Sequence, residues 1–322
     1  MTKISYIISV YNEEDVLRQF WEELSEQIQR FVQYDFEVVW VNDGSADNSQ
    51  ALIAEFAETK ICSSQVIEFS RNFGHEAAMI AGVDHATGDA LICMDSDLQH
   101  PPDVTPDMIR EFESGTEIIT MIRTARDDGG AMKKGMGKWF YKMLNQLSDF
   151  TFDENASDFF LISARVADIL RNNFRERNRF LRGYIQIIGF QKKTLEYHAR
   201  KRLGGESKYT YSSLFNLANI AIFSFSRKPL YLAMVMAVLF IVIALILTAY
   251  TLGVFIWGDE PPEGYTTTIA FLAISFAILF FILAVQSLYL GRGMEEIKER
   301  PLYIVKNSIK AEKEECSESD DL

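Results

Sequence analysis

The chain has 322 residues, with 32 Lys and Arg against 45 Asp and Glu and a formal net charge of −13. Such a length allows about two domains with an ample core, and the acidic balance excludes general nucleic-acid binding, which needs a basic face. The average hides a segregation, because residues 312–321 are mostly acidic whereas residues 165–208 are strongly basic. Cys62, Cys93 and Cys316 are scattered and odd in number, without metal-ligand spacing, as expected of reduced thiols facing the cytosol. No signal peptide is expected, since the apolar run 4–10 is short and leads straight into an acidic segment.

Residues 4–10 read as a buried first strand running into Tyr11-Asn12-Glu13-Glu14. The spacing of Val16, Phe20, Leu24 and Ile28 predicts a helix over 13–30, with acidic residues in its first turn. Residues 36–41 are a second predicted strand ending in Asn42-Asp43-Gly44-Ser45, after which Asp47 can cap a helix through Phe56. A third strand over 66–69 leads into Ser70-Arg71-Asn72-Phe73-Gly74-His75 and a helix of small residues up to about His85. The fourth strand opens the stretch Ala90-Leu91-Ile92-Cys93-Met94-Asp95-Ser96-Asp97-Leu98-Gln99, an apolar run that ends in two carboxylates and a carboxamide. Hard oxygen donors at the carboxyl end of a buried strand suit a divalent cation, Mg²⁺ or Mn²⁺. Taken alone, the Asp-x-Asp pair is a weak signal, because acidic pairs are common in solvated loops.

His100-Pro101-Pro102 force an extended turn before a helix over 103–113. A strand over 118–122 is followed by Arg123-Thr124-Ala125-Arg126, residues 132–147 have amphipathic helical spacing, and Asn155-Ala156-Ser157-Asp158-Phe159-Phe160 is a polar turn entering an apolar segment. Alternating strands and helices predict a doubly wound, mostly parallel α/β sheet. Each polar cluster falls at a strand's carboxyl end, so all should line one crevice. His75, His85 and His198 lack ligand spacing and read as ordinary polar residues.

Residues 230–257 and 265–290 carry no charge and each exceeds the roughly 20 residues that cross a bilayer. Arg227 and Lys228 precede the first and Arg292 and Lys298 follow the second, with the acidic turn Gly258-Asp259-Glu260-Pro261-Pro262-Glu263-Gly264 between them. The positive-inside rule then places both chain ends in the cytoplasm and the turn outside. The apolar-rich juxtamembrane segment 209–228 either lies in the interface or forms a core helix at the join. The expected division is a catalytic domain over 1–208, this juxtamembrane segment, a helical hairpin over 229–291 and an acidic cytoplasmic tail over 292–322.

Taken together, Ser9-Val10-Tyr11-Asn12-Glu13-Glu14, Val41-Asn42-Asp43-Gly44-Ser45, Ser70-Arg71-Asn72-Phe73-Gly74, Asp95-Ser96-Asp97-Leu98-Gln99-His100-Pro101-Pro102, Arg179-Phe180-Leu181-Arg182-Gly183 and Gly205-Glu206-Ser207-Lys208-Tyr209 resemble the polyprenyl-phosphate glycosyltransferases. That inverting GT-A group includes dolichyl-phosphate mannose synthases and bactoprenol glucosyltransferases, and the resemblance covers nearly the whole chain. It implies a GT-A catalytic domain followed by a transmembrane hairpin in the cytoplasmic membrane, moving a hexose from a nucleotide sugar, UDP-glucose expected, to polyprenyl phosphate. It also implies roles. Tyr11, Glu13 and Asp43 would hold the base and ribose with Arg71 nearby. Asp95, Asp97 and Gln99 would position Mg²⁺ or Mn²⁺ against the donor diphosphate, so that Asp95 serves donor and metal alike. Arg123, Arg126, Arg202 and Lys208 would face phosphate. Asp97 and Asp158 are the expected catalytic residues, Asp158 matching the aspartate proposed as a base in similar enzymes.

A phosphate monoester has a second pKa of about 6 and is mostly dianionic near pH 7, so Asp158 is expected mainly to orient cations or acceptor. Read without the resemblance, Arg126 is also consistent with a solvated loop charge and Glu13 with a helix-terminus charge. The chain departs from many relatives at His100, where Asp is common, at Gly129, and at Ala199, with Arg200 beside it. Another sugar, such as N-acetylglucosamine, mannose or an aminosugar, and a homo-oligomeric state both stay open. No Trp stands in a Gln-x-x-Arg-Trp motif, which argues against a processive synthase. A lipid transporter is disfavoured because neither span carries a charge, and a non-catalytic scaffold would leave the acidic and arginine motifs without a purpose.

Overall fold

The computed structural model describes residues 1–123, 156–177, 180–200, 228–257 and 264–313. These fall into two units, the first holding the described residues up to 200 together with 301–313, the second holding 228–257 and 264–300.

The first unit is built on an eight-stranded sheet. Its centre is β1 (Lys3–Val10), β2 (Asp35–Asn42), β3 (Ser63–Phe69) and β4 (Ala90–Asp95), all parallel, with β4 and β2 flanking β1. β1 and β2 are almost wholly buried, as parallel strands covered on both faces must be, and so read as continuous apolar runs. The connections are α1 (Glu14–Arg30), α2 (Ser49–Glu58) and α3 (His75–His85). In α1 the buried face is Val16, Leu17, Phe20, Trp21, Leu24 and Ile28, the helical spacing expected, and Trp21 packs edge-on to Trp40 of β2 at 5.7 Å. Each such side chain contributes roughly 1.5–3 kcal/mol on burial. α3 is buried from Ala77 to Val83, and Gly82 lets it close on the sheet, since a Cβ there would stand 2.1 Å from Ile7 Cγ2.

Beyond β4 the order changes. A 3₁₀ turn at Pro102–Val104 and α4 (Thr105–Glu113) occupy the predicted helix 103–113, and β5 (Ile118–Arg123) follows. The segment read as a polar turn entering an apolar stretch is β6 (Ala156–Ser163), inserted antiparallel between β4 and β5. Ser163 Oγ then accepts from Val166 N at 3.2 Å to start α5 (Ala164–Asn173), and α6 (Leu181–Ile187) follows. β7 (Lys192–Tyr197) pairs parallel with β5 at one edge, and β8 (Val305–Ala311) pairs antiparallel with β3 at the other. The stretch 292–322, expected as an acidic tail, thus contains a sheet strand. Asp47, expected to cap α2, instead accepts from Ser49 N and from Glu14 N, joining the starts of two helices, while Asn48 occupies the cap position. The helix expected over 132–147 and the juxtamembrane residues 209–227 lie outside the described residues.

The second unit is a pair of helices, α7 (Lys228–Trp257) and α8 (Tyr265–Ile297), with Phe240 stacked on Phe271 at 5.6 Å. Mean hydropathy reaches 3.1 over Leu230–Leu247 and 2.1 over Ile274–Ile297, and the apolar side chains of both stretches are mostly exposed. Both are long and apolar enough to cross a membrane, and continuous apolar surface of this kind calls for lipid rather than water. The chain re-enters the first unit after this hairpin as β8. The architecture is the GT-A-like one expected, a mixed, mostly parallel sheet followed by two long apolar helices.

Candidate active site

The parallel register aligns Ser9 with Asp95 and Val10 with Asn42, so the strand-end clusters share one edge of the sheet. The loop after β1 is laced to the loop after β2. Asn12, in the left-handed region at φ 52, accepts from Ala46 N at 2.8 Å and takes Ser45 Oγ on its own N–H at 3.0 Å. Glu13 N donates to Ser49 Oγ at 3.0 Å. Tyr11, exposed, and Glu13, half-buried, stand at this edge. Asp43 is buried, and its two carboxylate oxygens accept from Phe73 N at 2.6 Å and Gly74 N at 2.9 Å. Gly44, at φ +70, brings the backbones together, since a Cβ there would lie 2.5 Å from Arg71 C. Arg71 lies 4.0 Å over the Phe73 ring and donates to Asn72 O. Asp43 therefore shapes the loop that carries Arg71.

At the end of β4, Ser96 Oγ donates to Ser9 O, and Asp97 Oδ1 accepts from Gln99 N at 3.1 Å across the left-handed Leu98 at φ 61. Asp95 N donates to Nδ1 of the fully buried His100 at 2.9 Å, and Nε2 of the same neutral ring lies 2.9 Å from Ser157 Oγ and 3.3 Å from Arg123 Nη2. Burial, then Arg123, hold His100 well below its ordinary pKa, consistent with that neutral form. The ring stacks on Phe159 at 5.0 Å, and Ser157 continues to Tyr197, which accepts from Arg123 Nε at 2.9 Å. A neutral imidazole at position 100 thus ties the Asp95 backbone to the group that positions Arg123.

Asp158, on β6, is held by Arg182 of α6 through both carboxylate oxygens, with Arg182 Nε 3.0 Å from Oδ1. Burial alone would raise the Asp158 pKa, but Arg182, then His75, outweigh it and hold the group well below the carboxylate range. His75, read from the sequence as an ordinary polar residue, belongs to the site. Its Nδ1 lies 3.1 Å from Ser9 Oγ and 3.5 Å from Asp95 Oδ1, and its Nε2 lies 4.0 Å from Asp158 Oδ2. Spacing could not reveal it, but its place directly after the third strand-end cluster could. Glu76 beside it accepts from Leu181 N at 2.8 Å and so fixes the start of α6.

Asp95 is pushed up to about 6, first by burial and further by the charges of Asp97 and Asp158, against the opposing influence of His75 and Arg123. Negative charge is thus crowded where a cation would relieve it. Among the described residues no three His, Cys, Asp or Glu form a closed metal cluster. An open set of two carboxylates and a carboxamide still fits Mg²⁺ or Mn²⁺, because such ions are held by one or two carboxylates completed by substrate phosphate and water.

Of the four expected phosphate-facing cations, Arg123 joins the cluster, while Arg126, Arg202 and Lys208 lie outside the described residues. The stretch 165–208 was strongly basic in sequence. Its described members are largely paired within the first unit: Arg165 with Glu117, Arg175 with Asp84, Lys193 with Glu111, and Arg200 with Glu23 and Asp103.

Residues 5–170 match glycosyl transferase family 2. The chain is 34% identical over 308 residues to the SfII prophage-derived bactoprenol glucosyl transferase of Shigella flexneri, covering 95% of this chain and 98% of that one. It is 34% identical over 307 residues to the prophage bactoprenol glucosyl transferase homolog of Escherichia coli K12, covering 94% and 98%. With the uncharacterized glycosyltransferase YkcC of Bacillus subtilis it shares 33% over 306 residues, covering 94% and 93%. Among solved structures, glucosyl-3-phosphoglycerate synthase from Mycobacterium tuberculosis superposes with a TM-score of 0.46 at 15% identity, covering 69% of this chain and 78% of that one. A family match over half the chain and relatives aligned almost end to end establish that this protein is a glycosyltransferase of family 2, related to the bactoprenol glucosyl transferases.

Proposed function

We propose that the protein is a membrane-bound inverting glycosyltransferase that moves a hexose from a nucleotide sugar, UDP-glucose, to polyprenyl phosphate at the cytoplasmic face of the membrane. The observation that carries this reading is the near full-length relation to bactoprenol glucosyl transferases in a chain that joins a strand-end acidic site to a two-helix apolar hairpin. In this reading residues 1–208 are the cytoplasmic catalytic domain and both termini are cytoplasmic.

Tyr11, Glu13, Asp43 and Arg71 form the nucleotide side of the crevice. Asp95, Asp97 and Gln99 would hold Mg²⁺ or Mn²⁺, which supplies Lewis-acid stabilisation of the departing diphosphate. The chain's own residues do the rest. Arg123 stands beside Asp95, anchored by Tyr197, where it can offset charge growing on the diphosphate. Asp158 is already held ionised by Arg182, and a carboxylate with so low a pKa is a poor proton acceptor near pH 7. The acceptor phosphate arrives largely ionised and needs cations to meet an anionic donor. Asp158 accordingly orients Arg182 for the acceptor phosphate, whose second grip comes from Arg126, Arg202 and Lys208.

The test incubates purified protein and undecaprenyl phosphate with a panel of UDP- and GDP-linked sugars, and reads the lipid by mass and the linkage by NMR. A β-linked hexose phosphate lipid formed from UDP-glucose is expected. Product from another sugar alone would keep the chemistry and replace the donor, and no lipid product from any donor would reject the proposal.

A further inference from the structure

After α8 the chain returns to the first unit and seats against the 70–74 loop, at the end opposite the one held by Asp43. Ile304 O accepts from Ser70 N at 3.0 Å. The Tyr303 ring lies flat on Phe69 at 5.1 Å and 14°, Phe69 meets Phe73 edge-on at 5.7 Å, and Phe73 carries the Arg71 guanidinium at 4.0 Å. A continuous stack therefore runs from the returning segment to Arg71. Its outer end is fixed in turn. Tyr303 Oη donates to Asp84 Oδ2 at 2.8 Å, and Arg175 grips the same carboxylate with bonds of 2.7 and 3.0 Å. From Val305 onward β8 pairs with β3, reinforced by the Lys306–Glu68 ion pair and the bond from Gln65 to Ser308 Oγ.

Without this segment Ser70 N–H would lose its acceptor, and Phe69 would lose the ring on which it lies. A binding loop tied at only one end samples more conformations, and a ligand must then order it on binding. We infer that residues 303–304 are a positioning strap for the 70–74 loop, with Tyr303 the residue that sets Arg71 for the nucleotide sugar, so that donor affinity depends on the chain returning from the hairpin. This rests on the reading above, in which Arg71 serves the nucleotide side of the site.

The experiment uses the full chain in detergent micelles, comparing wild type, Tyr303→Ala, Tyr303→Leu and Tyr303→Phe. UDP binding is read by calorimetry, and transfer from UDP-glucose to undecaprenyl phosphate is read with each substrate varied. Tyr303→Ala should raise the donor KM and the UDP Kd about tenfold while kcat and the acceptor KM stay within about twofold, the signature of lost donor binding alone. Tyr303→Phe keeps the stack and should return most of that affinity. Tyr303→Leu, which fills the space without a ring, should behave like Ala and stands in for it if the Ala variant does not fold. Unchanged donor KM and UDP Kd in the Ala or Leu variant overturns the inference, as does a fall in kcat with both KM values unaltered. A folded wild type that neither binds UDP nor transfers sugar removes the functional reading and the strap with it. An active wild type indifferent to Tyr303 removes the strap alone.

Discussion

Arg182→Ala removes both donors that grip the Asp158 carboxylate. The two side chains are only 20% and 19% exposed, so water cannot fully replace the lost partner, and breaking a buried pair from one side costs ~3–5 kcal/mol. His75 Nε2, 4.0 Å from the same carboxylate, offsets part of this, which places the expected loss near ~3 kcal/mol. In a domain of this size that corresponds to a Tm lower by roughly 6–12 °C. Burial alone would raise the Asp158 pKa, but Arg182, then His75, hold it well below the ordinary value. A depressed folded pKa gives stability that is present above the unfolded carboxylate's value of about 4 and lost as pH falls through the folded one. The deficit of the variant should therefore be largest near neutral pH and shrink as the medium is acidified. Thermal melts of the detergent-solubilised full chain, for wild type, Arg182→Ala, Asp158→Asn and the double variant, measure it directly. The cycle should return a coupling of ~2 kcal/mol or more. Additive losses, or a deficit that persists unchanged into acid, would refute the assignment of Asp158 as a carboxylate held ionised by Arg182.

Three further outcomes are expected. Asp97→Asn should keep the melting profile and remove most turnover, and wild type should lose activity in excess chelator; full activity under chelation would rule out the cation site at Asp95, Asp97 and Gln99. Gly44→Ala forces a Cβ against the Arg71 backbone at a positive φ, so a donor KM raised about tenfold or more is expected with the acceptor KM unchanged, and equal loss toward both substrates would argue against it. A cysteine replacing Glu260, in the loop outside the described residues, should react with an impermeant thiol reagent in intact cells once the native cysteines are removed, and protection there with labelling of the catalytic domain would invert the topology.

The first four strands and their helices were legible because each strand is a buried apolar run and each ends in a cluster that breaks the pattern, as at Asn42-Asp43-Gly44-Ser45 and Asp95-Ser96-Asp97. The edges were not. β7 and β8, Lys192–Tyr197 and Val305–Ala311, are mostly exposed, carry charges as edge strands do, and become strands only through pairing with β5 and β3. β6 was hidden because antiparallel insertion between two parallel strands is a long-range choice that local periodicity does not encode. At the site, acidic residues on a strand end could be found by spacing, whereas His75 owes its place to the packing of α3 against β1. Arg182 was seen as part of a motif, but its tie to Asp158 spans 24 residues. The pairing of the basic stretch after Arg165 could not be read from the sequence, because its acidic partners lie in segments as distant as Glu23 and Asp84.

The most direct test of the account follows labelled glucose from UDP-glucose into the organic phase in the presence of undecaprenyl phosphate and Mg²⁺ or Mn²⁺. Wild type should deliver label to the lipid only when lipid phosphate and cation are both present, and folded Asp97→Asn should fail to do so. Label released to water alone, or equal transfer by Asp97→Asn, would contradict a metal-assisted transferase acting on a polyprenyl phosphate.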